Sequence, residues 1–166
     1  NVPANVPTIQ TAIDIIDPSN SSNKNIVVAP GEYFESLDFL NKRYVTLKSS
    51  AGPLQTIING QQSPESISHL VHVNGNYIII DGFTIKDYSG NSGINAYDGR
   101  PAIFKNLILD NNKNYFFNAT ATVENCVFQN NNDGEILVIG SSDNPYGCVF
   151  KHVTIAGNND FRFRLQ

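Results

Sequence analysis

The sequence predicts an all-β protein, a right-handed parallel β-helix: a solenoid of about six coils behind an N-terminal capping α-helix. Three observations carry that prediction. A short pattern recurs along the chain at solenoid spacing, the composition suits many tight turns between short strands, and one stretch near the start has helical periodicity instead.

The repeat is the strongest of the three. Ile80-Asp81-Gly82-Phe83-Thr84-Ile85, Phe104-Lys105-Asn106-Leu107-Ile108-Leu109, Val123-Glu124-Asn125-Cys126-Val127-Phe128 and Phe150-Lys151-His152-Val153-Thr154-Ile155 align without gaps. Each opens on an apolar anchor, passes through a polar residue and a turn-former, then alternates inward apolar with outward positions. Asp87, Asn111, Asn130 and Gly157 close the segments at matching places. Stacked about 4.8 Å apart, such segments bury columns of side chains as dry ladders while each backbone pairs with the coils above and below. Phe83, Leu107, Cys126 and Val153 should form one inward column, and Ile85, Leu109, Phe128 and Ile155 another. The outward column Asp81, Lys105, Glu124, Lys151 alternates in sign. That alternation favours this register, although an exposed pair contributes only about 0–1 kcal/mol. Asn106 and Asn125, followed by His152, fall at the kink between strands, where side-chain amides can bond their counterparts in the next coil. Second strands are predicted between the anchors, over Val71–Val73, Ile94–Tyr97, Tyr115–Phe117 and Ile136–Ile139.

Twenty-three asparagines, several in runs such as Asn130-Asn131-Asn132, supply the turns, because Asn tolerates left-handed backbone and bonds locally. Upstream, Ile9, Ala12, Ile13 and Ile16 fall at helical spacing, with Pro7-Thr8 to start a helix and Pro18 to end it. This helix, over Thr8–Ile16, is the natural lid for a stack whose open end would expose core and strand edges. Strands at Ile26–Val28, Val45–Leu47 and Thr56–Ile58 begin the stack. At the far end Phe161, Phe163 and Leu165 alternate with Arg162 and Arg164 as one more strand, with no lid beyond it. Residues 1–166 therefore read as one domain, a capping segment over 1–20 and coils over 21–166, truncated or completed by a partner chain at that edge. Self-association through Phe161, Phe163 and Leu165, or through the outward apolar pair Ile108 and Val127, is the corresponding expectation.

Bulk properties narrow the class. With 40% hydrophobic and 16% charged residues the chain is no disordered tail, and a net charge of −4 argues against nucleic acid, whose phosphates need a basic field. No stretch approaches the roughly 18 apolar residues of a membrane span. Cys126 and Cys148 fall in different columns and read as two buried thiols. His69 and His72 have no ligand at zinc-like spacing, so no metal site is expected.

Pro7-Thr8-Ile9-Gln10-Thr11-Ala12-Ile13, Ile26-Val27-Val28-Ala29-Pro30-Gly31-Glu32-Tyr33-Phe34-Glu35, Val45-Thr46-Leu47-Lys48-Ser49, Thr56-Ile57-Ile58-Asn59-Gly60 and Asp81-Gly82-Phe83-Thr84-Ile85 together resemble the start of the pectate-lyase-like β-helix superfamily. The nearest likeness is to secreted bacterial β-helix repeat proteins, and the opening half is also similar to pectin methylesterases. The resemblance implies a secreted or cell-surface location and a polysaccharide or glycan partner. It leaves activity open, since lyases, hydrolases, esterases, adhesins and domains without activity share the fold. The Gln-Asp pair, Asp-Phe-rich segment and Arg of pectin methylesterases have no match here, nor do the clustered aspartates of polygalacturonases.

Two sets of residues are candidates for function. Lyases of this fold use carboxylates to hold calcium and an Arg or Lys base to remove a proton; Asp98, Arg100 and Lys105 are the nearest approach to that set, with calcium the one candidate ion and no other cofactor expected. Tyr88, Tyr97, Tyr115 and Tyr146 lie in or beside turns of the later coils, where exposed rings on a rigid wall would stack on sugar faces. The expected function is a non-catalytic extracellular domain that binds carbohydrate or serves in a cell-surface assembly. A lyase or esterase acting on uronic-acid polymers, and a purely structural oligomerisation module, are the alternatives.

Overall fold

The computed structural model describes residues 1–63, 67–96, 101–113, 116–117, 121–132, 135–138, 148–159 and 162–165, and of 116–117, 135–138 and 162–165 the backbone alone. The chain turns repeatedly through three faces and lays a short strand on each. β1 (Lys24–Val28), β2 (Gly31–Tyr33) and β3 (Leu37–Asp38) are followed by β4 (Arg43–Ser49), β5 (Thr56–Asn59) and β6 (His69–Val73). The order returns in β7 (Asn76–Asp81), β8 (Thr84–Lys86) and β9 (Ser92–Ala96), then in β10 (Ala102–Lys105), β11 (Ile108–Asp110) and β12 (Phe116–Phe117). The remaining described strands are β13 (Ala121–Glu124), β14 (Val127–Gln129), β15 (Glu135–Val138), β16 (Val149–Lys151), β17 (Thr154–Ala156) and β18 (Arg162–Leu165). Strands three apart pair in parallel. One six-stranded sheet runs from β1 to β16, a second from β2 to β17, and a four-stranded third from β3 to β12, with β15 and β18 paired separately. This is a parallel β-helix.

The pairing register reproduces the expected columns. Ile80, Phe104, Val123 and Phe150 stack on one inward line, which Ile26 and Leu47 extend backward. Ile85, Leu109 and Phe128 stack on another, preceded by Ile58 and Tyr33, and Ile155 continues it in register but is 38% exposed. Phe83, Leu107 and Cys126 are buried between the two sheets, and Val153 is partly buried against them. The charged column also gains a member, reading Lys48, Asp81, Lys105, Glu124, Lys151 across five paired strands.

What holds successive circuits in this register is the corner backbone. Gly82, Asn106, Asn125 and His152 all have left-handed φ between the first and second sheets, and Asp87, Asn111, Asn130 and Gly157 all have it beyond the second. Gly, Asn and Asp tolerate that region at little steric cost. The expected amide contact between Asn106 and Asn125 is long, at 3.5 Å. The strong amide ladder lies one residue further on and points inward. Asn112 and Asn131 are fully buried, and Asn158 continues the column. Asn131 Nδ2 donates to Leu109 O at 3.0 Å and to Asn158 Oδ1 at 2.9 Å, while Asn131 Oδ1 accepts from Asn112 N at 2.9 Å. Each amide thus satisfies backbone that the corner would otherwise leave buried and unpaired.

The N-terminal end is covered as a lid requires, by a helix shorter than the spacing suggests. α1 spans Ile9–Asp14, with Thr8 as N-cap, its hydroxyl accepting from Thr11 N at 3.0 Å. Ile16 donates back to Ile13 O, which ends the α-helical pattern, and Ile16 is only partly buried. Ile9, Ala12 and Ile13 face the core. The Glu35 carboxylate accepts from Ile9 N at 3.0 Å and Gln10 N at 2.8 Å, an anion placed on the positive end of the helix. Gln10 meanwhile bonds both the N–H and the carbonyl of Asp38, and Val2 pairs with β1, so two first-strand edges are closed.

Both cysteines are free. Cys126 is buried as expected and its thiol is pushed up to about 11 by burial, whereas Cys148 is half-buried. Ile108 and Val127 are half-buried beside Pro53 and Leu54, whose loop is tied down by the Thr84 hydroxyl donating to Pro53 O at 2.7 Å. Of the expected edge residues, Phe161 lies outside the described residues, and Phe163 and Leu165 are described by backbone only, in β18.

Replacing Asn131 by Ala removes partners from both neighbouring circuits, and each buried polar group left unpaired costs about 1–3 kcal/mol. We expect Asn131→Ala to lower the unfolding free energy by at least that amount in urea titrations, and Asn130→Ala, at the exposed corner beside it, to cost less.

Candidate functional site

Residues singled out from the sequence separate into three groups. Tyr97, Tyr115, Tyr146, Asp98 and Arg100 lie outside the described residues. Lys105 belongs to the charged column, its ammonium 3.3 Å from Asp81 Oδ2. Tyr88 is a correction. It is only 2% exposed, and its hydroxyl donates to Ile67 O. Its backbone N–H bonds Asn112 Oδ1, which puts it at the head of the inward amide column, and the ring packs on Gly60, where a Cβ would lie 2.7 Å from Tyr88 Cβ. Tyr88 therefore offers no ring to a sugar.

A different pair of tyrosines does. Tyr44 and Tyr77 stack with ring centroids 5.0 Å apart and planes 5° from parallel, and Tyr77 is 53% exposed. They are placed by a tight corner. Gly75 sits so near the Phe39 and Lys42 carbonyls that a Cβ would lie 2.9 and 2.7 Å from them. Asn76 N–H donates to Lys42 O at 2.9 Å, and Tyr77 N–H donates to Pro101 O at 2.9 Å. Arg43 pairs with Asn76 and Val45 with Ile78, so the tyrosines step out of the ladder together. Both do so through left-handed backbone, φ 54° at Tyr44 and 57° at Tyr77. For a bulky side chain that conformation is a genuine outlier, and such strain concentrates at functional sites. Every other left-handed residue in the described chain except His152 is Gly, Asn or Asp.

Beside the tyrosines runs a cleft of about 340 Å³, lined by Asn23, Asn25, Thr46, Ile79, Pro101 and Ile103 among others. Its floor is the outward column Asn25, Thr46, Ile79, Ile103 on four successive strands, so the cleft follows the helix axis for about 14 Å at a strand spacing of 4.7–4.9 Å. Outward positions on a solvated face are ordinarily polar; here Ile103 is 36% exposed. Aromatic edges, an apolar floor and amide or hydroxyl groups at one end form a surface that can hold C–H faces while bonding hydroxyls. The repeat alignment anchored on Ile80 misses this pair because it begins one circuit too late. Extended backward, Tyr44-Val45-Thr46-Leu47 falls on Tyr77-Ile78-Ile79-Ile80 and stacks the rings.

A second polar cluster lies on the third sheet. Asp38 Oδ1 is 3.2 Å from His72 Nδ1, and the His69 and His72 rings are 5.3 Å apart. His69 Nδ1 meets Ser92 Oγ at 2.5 Å, and Asn95 Nδ2 meets Nε2 at 2.8 Å. With the amide donating, Nε2 accepts and Nδ1 carries the proton to Ser92, which is fully buried. His69 thereby bridges β6 and β9 as a neutral ring. Burial, then the neighbouring His72, hold its pKa below the ordinary histidine value. Among the described residues there is no group of three or more His, Cys, Asp or Glu that could hold a metal ion.

The fold is a parallel β-helix, and solved structures that resemble it include pectin methylesterases. The enzyme from carrot superposes with a TM-score of 0.60 at 15% identity, over 91% of this chain and 59% of that one. PemA from Erwinia chrysanthemi gives 0.55 at 14%, over 94% and 64%, and a pectin methylesterase mutant in complex with a hexasaccharide gives 0.57 at 13%, over 93% and 62%. The chain thus spans about three fifths of the length of these structures. No protein-family model matches the sequence, and no curated protein matches it. Among the described residues no helix is long and apolar enough to cross a membrane.

Two expectations follow. Tyr77→Asn should leave the unfolding free energy within about 1 kcal/mol of the parent in urea titrations. Relief of about 1–2 kcal/mol of left-handed strain offsets about 0.5–1.5 kcal/mol of lost ring stacking. For His69, the folded-state pKa lies below the unfolded one, so its contribution to stability is complete above the unfolded value near 6.5 and is lost as pH falls through the folded value. The thermal midpoint should accordingly drop on acidification below about pH 6.5, and His69→Gln should reduce that slope.

Proposed function

We propose that this is a non-catalytic extracellular β-helix domain that binds a carbohydrate chain along the Tyr44–Tyr77 cleft. The observation that carries the reading is the strained tyrosine pair: two bulky rings in left-handed backbone, in a protein that places Gly, Asn or Asp at almost every other such corner. Strain of this kind is retained where the side chain itself is needed. The cleft is long and runs across strands, its floor is apolar, and Asn23, Asn25 and Thr46 offer donors and acceptors for hydroxyls. That a pectin methylesterase of this fold has been solved with a hexasaccharide supports the wall of a β-helix as a seat for an oligosaccharide.

An esterase or lyase acting on polysaccharide is the second reading, favoured by the enzymes that share the fold. Against it, none of the described residues lining the cleft is a carboxylate, histidine, lysine or arginine that could serve as acid, base or nucleophile.

A polysaccharide and glycan screen of the purified domain, with and without calcium, separates the two. Retention of a glycan without release of unsaturated or de-esterified product is the expected result, and Tyr44→Asn/Tyr77→Asn should abolish retention while the domain stays folded. Product formation would replace the binding reading with the enzymatic one.

A further inference from the structure

We infer that the cleft is selective by charge: it accepts an uncharged glycan chain lying along the helix axis and disfavours a carboxylated one. This rests on the reading of the Tyr44–Tyr77 cleft as a carbohydrate site and specifies its ligand. Among the described residues lining the cleft, the polar groups are amides, hydroxyls and backbone, with no cation. Arg43 precedes Tyr44 in the chain yet lies outside that lining. A uronate carboxylate laid on the Ile79–Ile103 floor would lose water without gaining a counter-charge, and an unpaired carboxylate is far more costly to desolvate than a hydroxyl.

The next outward column on the same sheet would be the natural source of cations, and two carboxylates offset two of its three lysines. Lys48, Asp81, Lys105, Glu124 and Lys151 alternate along paired strands. Lys105 is paired to Asp81 at 3.3 Å, and Asp81 Oδ1 also accepts from Asn106 Nδ2 at 2.7 Å. An approaching carboxylate therefore meets Asp81 and Glu124 as well as the lysines. The net charge of −4 adds a weak repulsion toward any polyuronate at low salt. A neutral chain meets none of these penalties, and its C–H faces gain from the tyrosine edges and the isoleucine floor.

Calorimetric titration of the intact chain with neutral oligosaccharides and with oligogalacturonates of equal length, at low and physiological salt, tests this. The expected result is binding of a neutral chain at least about tenfold tighter than of the matched uronate, a difference of about 1.4 kcal/mol. It should be lost in Tyr44→Asn/Tyr77→Asn, and Asp81→Asn, which removes the partner of Lys105, should raise uronate affinity several-fold. Tyrosine-dependent binding of the uronate as tight as the neutral chain would overturn the charge selectivity and leave the cleft reading standing. Unchanged uronate affinity in Asp81→Asn would also overturn the charge account. Binding of neither class, or binding indifferent to the tyrosines, would overturn the cleft reading and this inference with it.

Discussion

From Gly82 onward each described circuit turns from the first sheet to the second and out again through single residues with left-handed backbone, and those residues lie directly above one another. Gly82, Asn106, Asn125 and His152 make one such line; Asp87, Asn111, Asn130 and Gly157 make the other. Because the chain leaves each of these later circuits by the same bend, the strands that follow are held against slipping. A one-residue slip would turn each apolar column to solvent. The core ladders, the alternating charges and the inward amides of Asn112, Asn131 and Asn158 all depend on that shared path. The amides in turn bond the backbone of the corners, so conformation and hydrogen bonding support the same register.

This dependence explains what could be read from the sequence. Corner and column are periodic, and periodicity survives in one dimension: the inward lines through Phe83 and Ile85, the charged column and the strand pairs from Ile80 to Phe150 are all visible as an alignment. Direction at a corner is less visible. Asn111 and Asn112 are the same residue type in adjacent positions, yet one makes the exposed bend and the other is buried in the ladder. Tyr88 shares the position of Asn112, so the ring that looks like a turn aromatic is sealed inside. Chemistry gives no hint of this; only the register does.

The candidate site was illegible for a related reason. Tyr44 and Tyr77 are not near one another in the chain and belong to no recognised catalytic or ligand pattern. What marks them is a conformation that their side chains disfavour, and the repeat brings them together only when it is carried back to Tyr44. Lys105 shows the converse: its charge made it conspicuous as a base, but the neighbouring strand presents Asp81 to it, and the ion pair belongs to the wall.

The residues that make the fold and those proposed to bind a glycan are therefore different residues of the same circuits. The Gly, Asn and Asp corners do what any parallel β-helix needs, and the likeness to pectin methylesterases at 15% identity or less reflects that shared requirement. The helix does not need tyrosine at this corner, since Asn at the same place would relieve the backbone and keep the stack of coils. Tyr77 remains half in solvent beside an apolar groove, stacked on the partly buried Tyr44. A residue that is conformationally disfavoured and repeated in register on two successive circuits is more simply explained by what it contacts than by what it supports. That separation is what makes the cleft the place to look for the activity of this domain.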